Sequence, residues 1–398
     1  MNPLLISAFT ATTCVGHGRD ALLRALLAGD SGLAPCRFES VDVDTCVGEV
    51  PGIDLNPLPG SLAEYDCRNH RLAVLALAQD GFRDAVSACL RRHRADRIGV
   101  FVGSSTAGIL ETELAYRVRD AGTGALPGRY RYATTQNLYS AGAVVRLALG
   151  LAGPAAVVST ACSSSAKVFG SAARLIAAGV IDAAVVGGVD SLCLTTLYGF
   201  SSLQLTSARP CRPFDAERDG ISIGEGAAFF LVERALPAPA AAALLLVGVG
   251  ASSDAYHMSS PRPDGSGARL AMAAALQSAG LAAADIDYVN LHGTGTRTND
   301  AAEGRAVLDL FGGTTMCSSS KATIGHTLGA AGAIEAAICL LALQHGFAPG
   351  GVHTRQVDPA IPVNYLQANV AGPLTRVLSN SFGFGGTNCS LVFGAGRQ

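Results

Sequence analysis

The feature that most constrains this chain is a repeated alternation of short β-branched runs, each closed by a Gly or Ser turn, with longer Ala/Leu-rich stretches. The runs occupy 98–102, 155–159, 183–186, 227–232, 244–249, 286–291 and 390–393. Helical stretches lie between them at 68–92, 142–150, 164–178, 268–280, 300–311 and 329–345. Strands alternating with helices predict an α/β fold whose apolar strands are covered on both faces. Several helices are apolar nearly all round, which places them between sheets.

A chain of 398 residues can bury a core large enough to fold without disulfides or metals. Hydrophobic residues make up 49% and charged residues 15%, so much surface must be buried, including a subunit interface. A net charge of −2 without a basic run argues against nucleic-acid binding. The most apolar long stretch, 235–251, is interrupted by Pro237, Pro239, Gly248 and Gly250 and is too short to span a bilayer. The N-terminus lacks the basic region of a signal peptide. Eleven scattered cysteines with no CxxC pair and no zinc spacing predict reduced thiols, a cytoplasmic protein and no metal centre.

Two internal echoes suggest duplication. Arg97–Thr106 and Asp287–Thr296 each read as a strand entering a Gly/Ser/Thr turn, and small-residue helices follow Ser-rich turns at 162–178 and 318–343. These divide the chain into halves of 1–238 and 239–398, joined near the Pro-rich segment Leu236–Ala240.

Three side chains then stand out. Cys162, in Thr160-Ala-Cys-Ser-Ser-Ser-Ala166, sits where a strand turns sharply into a helix. The helix dipole and free N–H groups there favour a thiolate and could hold an oxyanion. His292, in His-Gly-Thr-Gly-Thr296, and His326, in Lys321-Ala-Thr-Ile-Gly-His326, lie at strand and loop ends, the usual ligand edge of an α/β sheet. Two histidines can each donate an N–H to one carbonyl oxygen, which suits chemistry passing through an enolate. Only Lys167 and Lys321 are lysines among 29 basic residues, so each is expected where arginine would not serve. Asn380–Asn388 reads as a Gly-rich loop before a final strand, with a backbone N–H facing the reacting centre.

Together, these motifs resemble the β-ketoacyl-acyl-carrier-protein synthases of the KAS I/II type over nearly the whole chain, including Arg212–Gly220 and Gly224-Glu-Gly-Ala227. The resemblance implies the thiolase fold, with duplicated halves in a five-layered αβαβα arrangement. It implies a homodimer, or a heterodimer with a chain-length-factor-like subunit. By the same resemblance Cys162 accepts the acyl chain from acyl-carrier protein, and His292 and His326 bind the malonyl thioester and stabilise its enolate. The N–H groups of Cys162 and Phe384 hold the oxyanion, and Phe384 gates the site with Phe200. Lys321 hydrogen-bonds the acidic pair Asp300 and Glu303. Thr294 and Thr296 hold the phosphopantetheine arm that carries the substrate, and no permanently bound organic cofactor is implied. Glu335, with Asn290, Ser379 and Asn380, resembles a structural monovalent-cation site. Arg68 and Arg71 resemble part of the basic patch that docks the carrier protein, although a solvated helix face reads the same way.

The TACSSSA segment and Gly199–Ser207 depart from housekeeping fatty-acid enzymes and point to a specialised polyketide or polyene chain. Rival readings are a non-catalytic chain-length factor, which usually lacks the cysteine, and a thiolase using Cys389 as a second cysteine, against which Cys389 falls inside the expected final strand. A KAS III-like enzyme would carry Asn where His326 stands, and a hydrolase or simple acyltransferase would leave the histidine pair unused.

Overall fold

The β-branched runs fold into the centre of a 12-stranded sheet in a computed structural model, which describes residues 1–235 and 243–396. Ten of these strands frame the molecule: β1 (Leu4–Thr13), β2 (Ile98–Gly103), β3 (Ala155–Val158), β4 (Ala183–Asp190), β5 (Gly226–Arg234), β6 (Leu244–Ser253), β7 (Tyr288–Asn290), β8 (Met316–Ser318), β9 (Arg376–Gly383) and β10 (Thr387–Ala395). Their spatial order is β8-β7-β9-β10-β6-β1-β5-β4-β2-β3. Read outward from β1 and from β6, the two sets repeat one topology. β2 lies parallel to β3 and β4 as β7 lies parallel to β8 and β9, and β4-β5-β1 is antiparallel as β9-β10-β6 is. The echo between Arg97–Thr106 and Asp287–Thr296 is thus the equivalence of β2 and β7. The expected joint at Leu236–Ala240 lies outside the described residues.

Seven helices complete the layers: α1 (Arg68–Leu77), α2 (Phe82–Leu90), α3 (Tyr139–Ala148), α4 (Ser164–Ala177), α5 (Ser266–Ala279), α6 (Arg297–Phe311) and α7 (Ala331–His345). α4 and α7 pack against each other between the two halves, α1 and α3 cover the outer face of one, and α5 and α6 that of the other. This is the five-layered αβαβα arrangement. Strand alternation feeds each layer, since Phe229 faces α1 and α3 while Phe230 faces the central helices. Leu328–His345 is the one segment among the described residues long and apolar enough to cross a membrane, and it is buried almost throughout as the central core helix. The apolar stretch singled out in the sequence instead contributes strand β6.

The structure corrects several local expectations. The stretch 68–92 is two helices, broken where Asp80 and Gly81 both take positive φ (57° and 67°). Strand β1, at the centre of the sheet, was not expected, because its Ser and Thr residues interrupt the apolar pattern. The loop expected at Asn380–Asn388 is a hairpin, with Asn380–Gly383 in β9, a tight turn at Phe384–Gly386 and Thr387 opening β10. A basic run does exist: Arg91, Arg92, Arg94 and Arg97 follow α2. Arg92, Arg94 and Arg97 are paired with Glu233, Asp96 and Asp182, which draws down its field.

Candidate active site

The site forms where both halves present the carboxyl ends of their strands. After β3 the chain turns sharply through Ala161, a non-glycine residue at φ 51°, and enters α4 at Ser164. This strained turn lifts Cys162 to the floor of a cleft, where it is 6% exposed. The end of β2 passes so close to α4 that a Cβ on Gly103 would lie 2.3 Å from Ser165 N, so the turn's position depends on glycine there. His292 follows β7, and His326 precedes α7. Both are buried, with rings 5.2 Å apart and nearly perpendicular, and His326 Nε2 lies 3.0 Å from Cys162 Sγ. The two halves therefore deliver one cysteine and two histidines to a single point.

Lys321 sits behind them. Its ammonium, 1% exposed, pairs with Glu335, donates to His292 O at 2.5 Å and lies 3.3 Å from His292 Nδ1. An ammonium can only donate, so His292 Nδ1 accepts and its proton sits on Nε2, facing the cleft. The expected partners of Lys321 are corrected here. Asp300 and Glu303 instead hold the loop that carries His292: Glu303 accepts from His292 N and Gly293 N, each at 2.7 Å. Asp300 accepts from Gly295 N at 3.2 Å and Phe214 N at 2.8 Å. Gly293 and Gly295 take the positive φ values this loop needs (36° and 83°). Thr294 and Thr296 share a hydroxyl contact of 3.0 Å on the cleft wall, and Thr296 also caps α6.

Electrostatics follow from burial. It pushes the Cys162 thiol up to about 11, against the opposing pull of Lys321 and of a hydrogen bond from Phe384 N–H. The thiolate expected from the helix N-terminus is therefore a thiol at rest, because desolvation outweighs the dipole. Burial holds both histidines well below the ordinary imidazole value, helped by Lys321 and, for His292, by His326. Both are neutral at pH 7. Burial also raises Glu335 and Glu303 to about 7, against Lys321 for the first and backbone N–H donors for the second.

Phe384 stands in the hairpin turn, its ring 5.6 Å from that of Phe200, and both line the cleft of about 610 Å³ above Cys162. A Cβ on Gly383 would lie 2.8 Å from Thr160 O, so glycine lets this turn reach the nucleophile loop. Asp254 escaped the sequence reading: it lines the cleft, donates N–H to Gly386 O at 2.7 Å and takes a 2.7 Å bond from Asn388. It lies just beyond β6, where no motif marked it. Lys167, half-buried on α4, hydrogen-bonds Thr387 at the base of the same hairpin.

The expected docking role of Arg68 and Arg71 fails on geometry. Arg68 is 4% exposed, and its guanidinium is held by Glu225, Asp54 and Glu49, while Arg71 pairs with Asp66. Arg68 is thus a buried structural cation and no docking residue. Cys389, the second cysteine that a thiolase would need, is buried inside β10 in the central layer, as its place in the final strand led us to expect. Among the described residues, two side-chain groups bring potential metal ligands within 4.8 Å: Cys162 with His292 and His326, and Cys89 with His93 and Glu233. Each has a cationic side chain bonded to a ligand residue, Lys321 in the first and Arg92 in the second, which opposes a metal cation. Asn290 and Ser379 are register partners on β7 and β9, and their side-chain oxygens and Glu335 Oε2 find no hydrogen-bond partner among the described residues. Asn380 does not join them, because its side chain bonds Glu303 and Ser390.

Comparison with known proteins agrees with this geometry. Residues 63–238 match the beta-ketoacyl synthase N-terminal domain and residues 244–355 its C-terminal domain. The chain is 33% identical over 404 residues to a 3-oxoacyl-[acyl-carrier-protein] synthase 2 of Vibrio cholerae, covering 95% of each. It superposes on a chain from the complex of the ketosynthase ApeO with its chain length factor ApeC from Xenorhabdus doucetiae, with a TM-score of 0.90 at 38% identity over 99% of this chain and 98% of the other. The ishigamide ketosynthase/chain length factor gives a TM-score of 0.88 at 27% identity, over 99% of each chain. The chain belongs to the β-ketoacyl synthase family.

Proposed function

We propose that this chain is the condensing subunit of a β-ketoacyl-acyl-carrier-protein synthase, joining an acyl group to a malonyl unit with loss of CO₂. The observation that carries this is the 3.0 Å contact of Cys162 Sγ with His326 Nε2, beside an Nε2–H of His292 held by Lys321. In the first step the thiol gives its proton to His326 Nε2 as sulfur attacks the acyl thioester. The tetrahedral oxyanion is held by the N–H groups of Cys162 and Phe384, and the departing pantetheine thiolate takes the proton. In the second step, once the single proton of neutral His326 has moved from Nδ1 to Nε2, the malonyl thioester carbonyl accepts Nε2–H bonds from both histidines. The carbon–carbon bond to the carboxylate breaks, CO₂ leaves, and its electron pair forms an enolate stabilised by those bonds. Neutral histidines suit this role because they donate without having to release a charge. The enolate carbon attacks acyl-Cys162, the Cys162 thiolate is expelled, and a proton from solvent water restores the thiol. Phe200 and Phe384 close the cleft, and Thr294 and Thr296 line the path of the pantetheine arm.

The partners are an acyl-carrier protein and a chain-length-factor-like subunit. The solved relative matched at 38% identity is a complex of a ketosynthase with its chain length factor, and this chain keeps the reactive cysteine. The Gly199–Ser207 segment supports a specialised chain over a housekeeping fatty acid. All eleven cysteines are free, which supports the cytoplasm. The repeated topology supports halves of 1–238 and 239–398. For the monovalent cation implied by family resemblance, Asn290, Ser379 and Glu335 supply fitting oxygens and Asn380's side chain does not. Glu335 Oε2 is free to take it, while the Lys321 ammonium on the other carboxylate oxygen opposes it, so any cation there would be held mainly by the neutral oxygens of Asn290 and Ser379.

The test is to mix the protein, with and without a chain-length-factor subunit, with acyl- and malonyl-carrier-protein thioesters. A 3-oxoacyl product two carbons longer is expected. Hydrolysis of the acyl thioester without elongation would contradict the assignment.

A further inference from the structure

Asp190, at the end of β4, is fully buried and binds both halves of the molecule at once. From the first half its carboxylate accepts Ser104 Oγ at 2.7 Å, Ser105 N at 2.9 Å, and Thr106 N and Oγ1, each at 2.9 Å. From the second half it accepts Gly329 N at 2.6 Å, three residues beyond His326. Ser105 Oγ reaches on to Ala161 O at 3.4 Å, next to Cys162. One carboxylate therefore joins the loop beside the nucleophile to the loop carrying the histidine.

Strain points to the same junction. Ala161 and Leu328 are non-glycine residues at φ 51° and 52°, one before Cys162 and the other before Gly329. Such conformations persist only where surrounding structure over-determines them. A Cβ on Gly329 would lie 2.7 Å from both Asp190 Oδ2 and Ser105 Oγ, so the contact exists only because the residue is glycine. Burying a carboxylate is costly, and five donors from two segments offset that cost.

We propose that Asp190 is a positioning residue that fixes the Cys162–His326 contact by tying the two catalytic loops together. The inference rests on the proposed roles of Cys162 and His326. It touches no substrate, so its effect must appear in turnover and not in binding.

The experiment measures acyl transfer to Cys162 from a short acyl-N-acetylcysteamine thioester for wild type, Asp190→Asn, Gly329→Ala and the double variant, with thermal melts alongside. A misplacement near 1 Å can cost on the order of 10²-fold in rate, so each single variant should lose about 10- to 100-fold in kcat with KM within about twofold. The double variant should be no slower than the slower single, because both break one staple. An Asp190→Asn protein that melts cooperatively yet transfers within about twofold of wild type overturns the proposal. So does a loss confined to KM, or losses that multiply in the double variant. If Asp190→Asn fails to fold, Ser104→Ala and Gly329→Ala decide, and wild-type kcat in both refutes it. Failure of wild type itself to load would instead refute the role of Cys162.

Discussion

Replacing Lys321 with Met separates the charge of this site from its packing. Glu335 is fully buried and already sits at about 7 instead of 4.5 while Lys321 is attached, so removing the ammonium drives it higher. At about 1.4 kcal/mol per pH unit, the rise from 4.5 to about 7 costs the wild-type protein about 3 kcal/mol by pH 9. A carboxyl that stays neutral up to pH 9 would cost the variant about 6 kcal/mol at that pH. The difference, about 3 kcal/mol, falls at the low end of the ~3–5 kcal/mol range for breaking a buried ion pair. The sign follows from proton counting: the folded state binds more protons than the unfolded chain, so stability falls as pH rises beyond the unfolded value. At pH 5 the folded carboxyl is protonated in both proteins, and the variant should match wild type within about 1 kcal/mol. The chain has no tryptophan, so urea melts followed by circular dichroism at pH 5 and pH 9 are the assay. The double variant Lys321→Met/Glu335→Leu should recover most of the loss at pH 9. An equal loss at both pH values would refute the reasoning and assign the cost to packing.

Other perturbations test separate parts of the account. His292→Ala should keep acyl loading of Cys162 while malonyl decarboxylation falls by about 10²-fold or more, and equal losses in both steps would argue against a role confined to the enolate. Arg68→Ala should lower stability by about 3–5 kcal/mol, because it strands Glu225, which is 0% exposed; an unchanged urea midpoint would show that the pair is dispensable. Gly103→Ala should cost about 1–3 kcal/mol or more, since its Cβ would fall 2.3 Å from Ser165 N, and a wild-type melt would show that α4 can retreat.

What the sequence disclosed was what local chemistry decides. The turn from strand to helix at Cys162 and the glycines around His292 and His326 are written within a few residues of each site, and the structure brings all three together. The layers were legible because buried strands and all-apolar helices leave a compositional imprint. What escaped depends on distant residues. Arg68 and Arg71 look solvent-facing from their spacing on α1, but Glu225, 157 residues on, takes Arg68 into the core. The acidic partner of Lys321 is Glu335, one layer over, because helix α7 and not α6 passes behind it. The thiol state of Cys162 reversed because its depth, a property of the whole fold, overrides the dipole of its own helix. Asp190 and Asp254 carry no motif and show their meaning only through the loops they bind.

The central claim is that Cys162 carries the acyl chain. Intact mass spectrometry after mixing the protein with acyl-carrier-protein thioesters, followed by peptide mapping, tests it most directly. The account predicts one acyl group per chain, located on Cys162, absent from Cys162→Ala and discharged by malonyl-carrier protein. An adduct that maps to another residue, or that forms equally in Cys162→Ala, would contradict it.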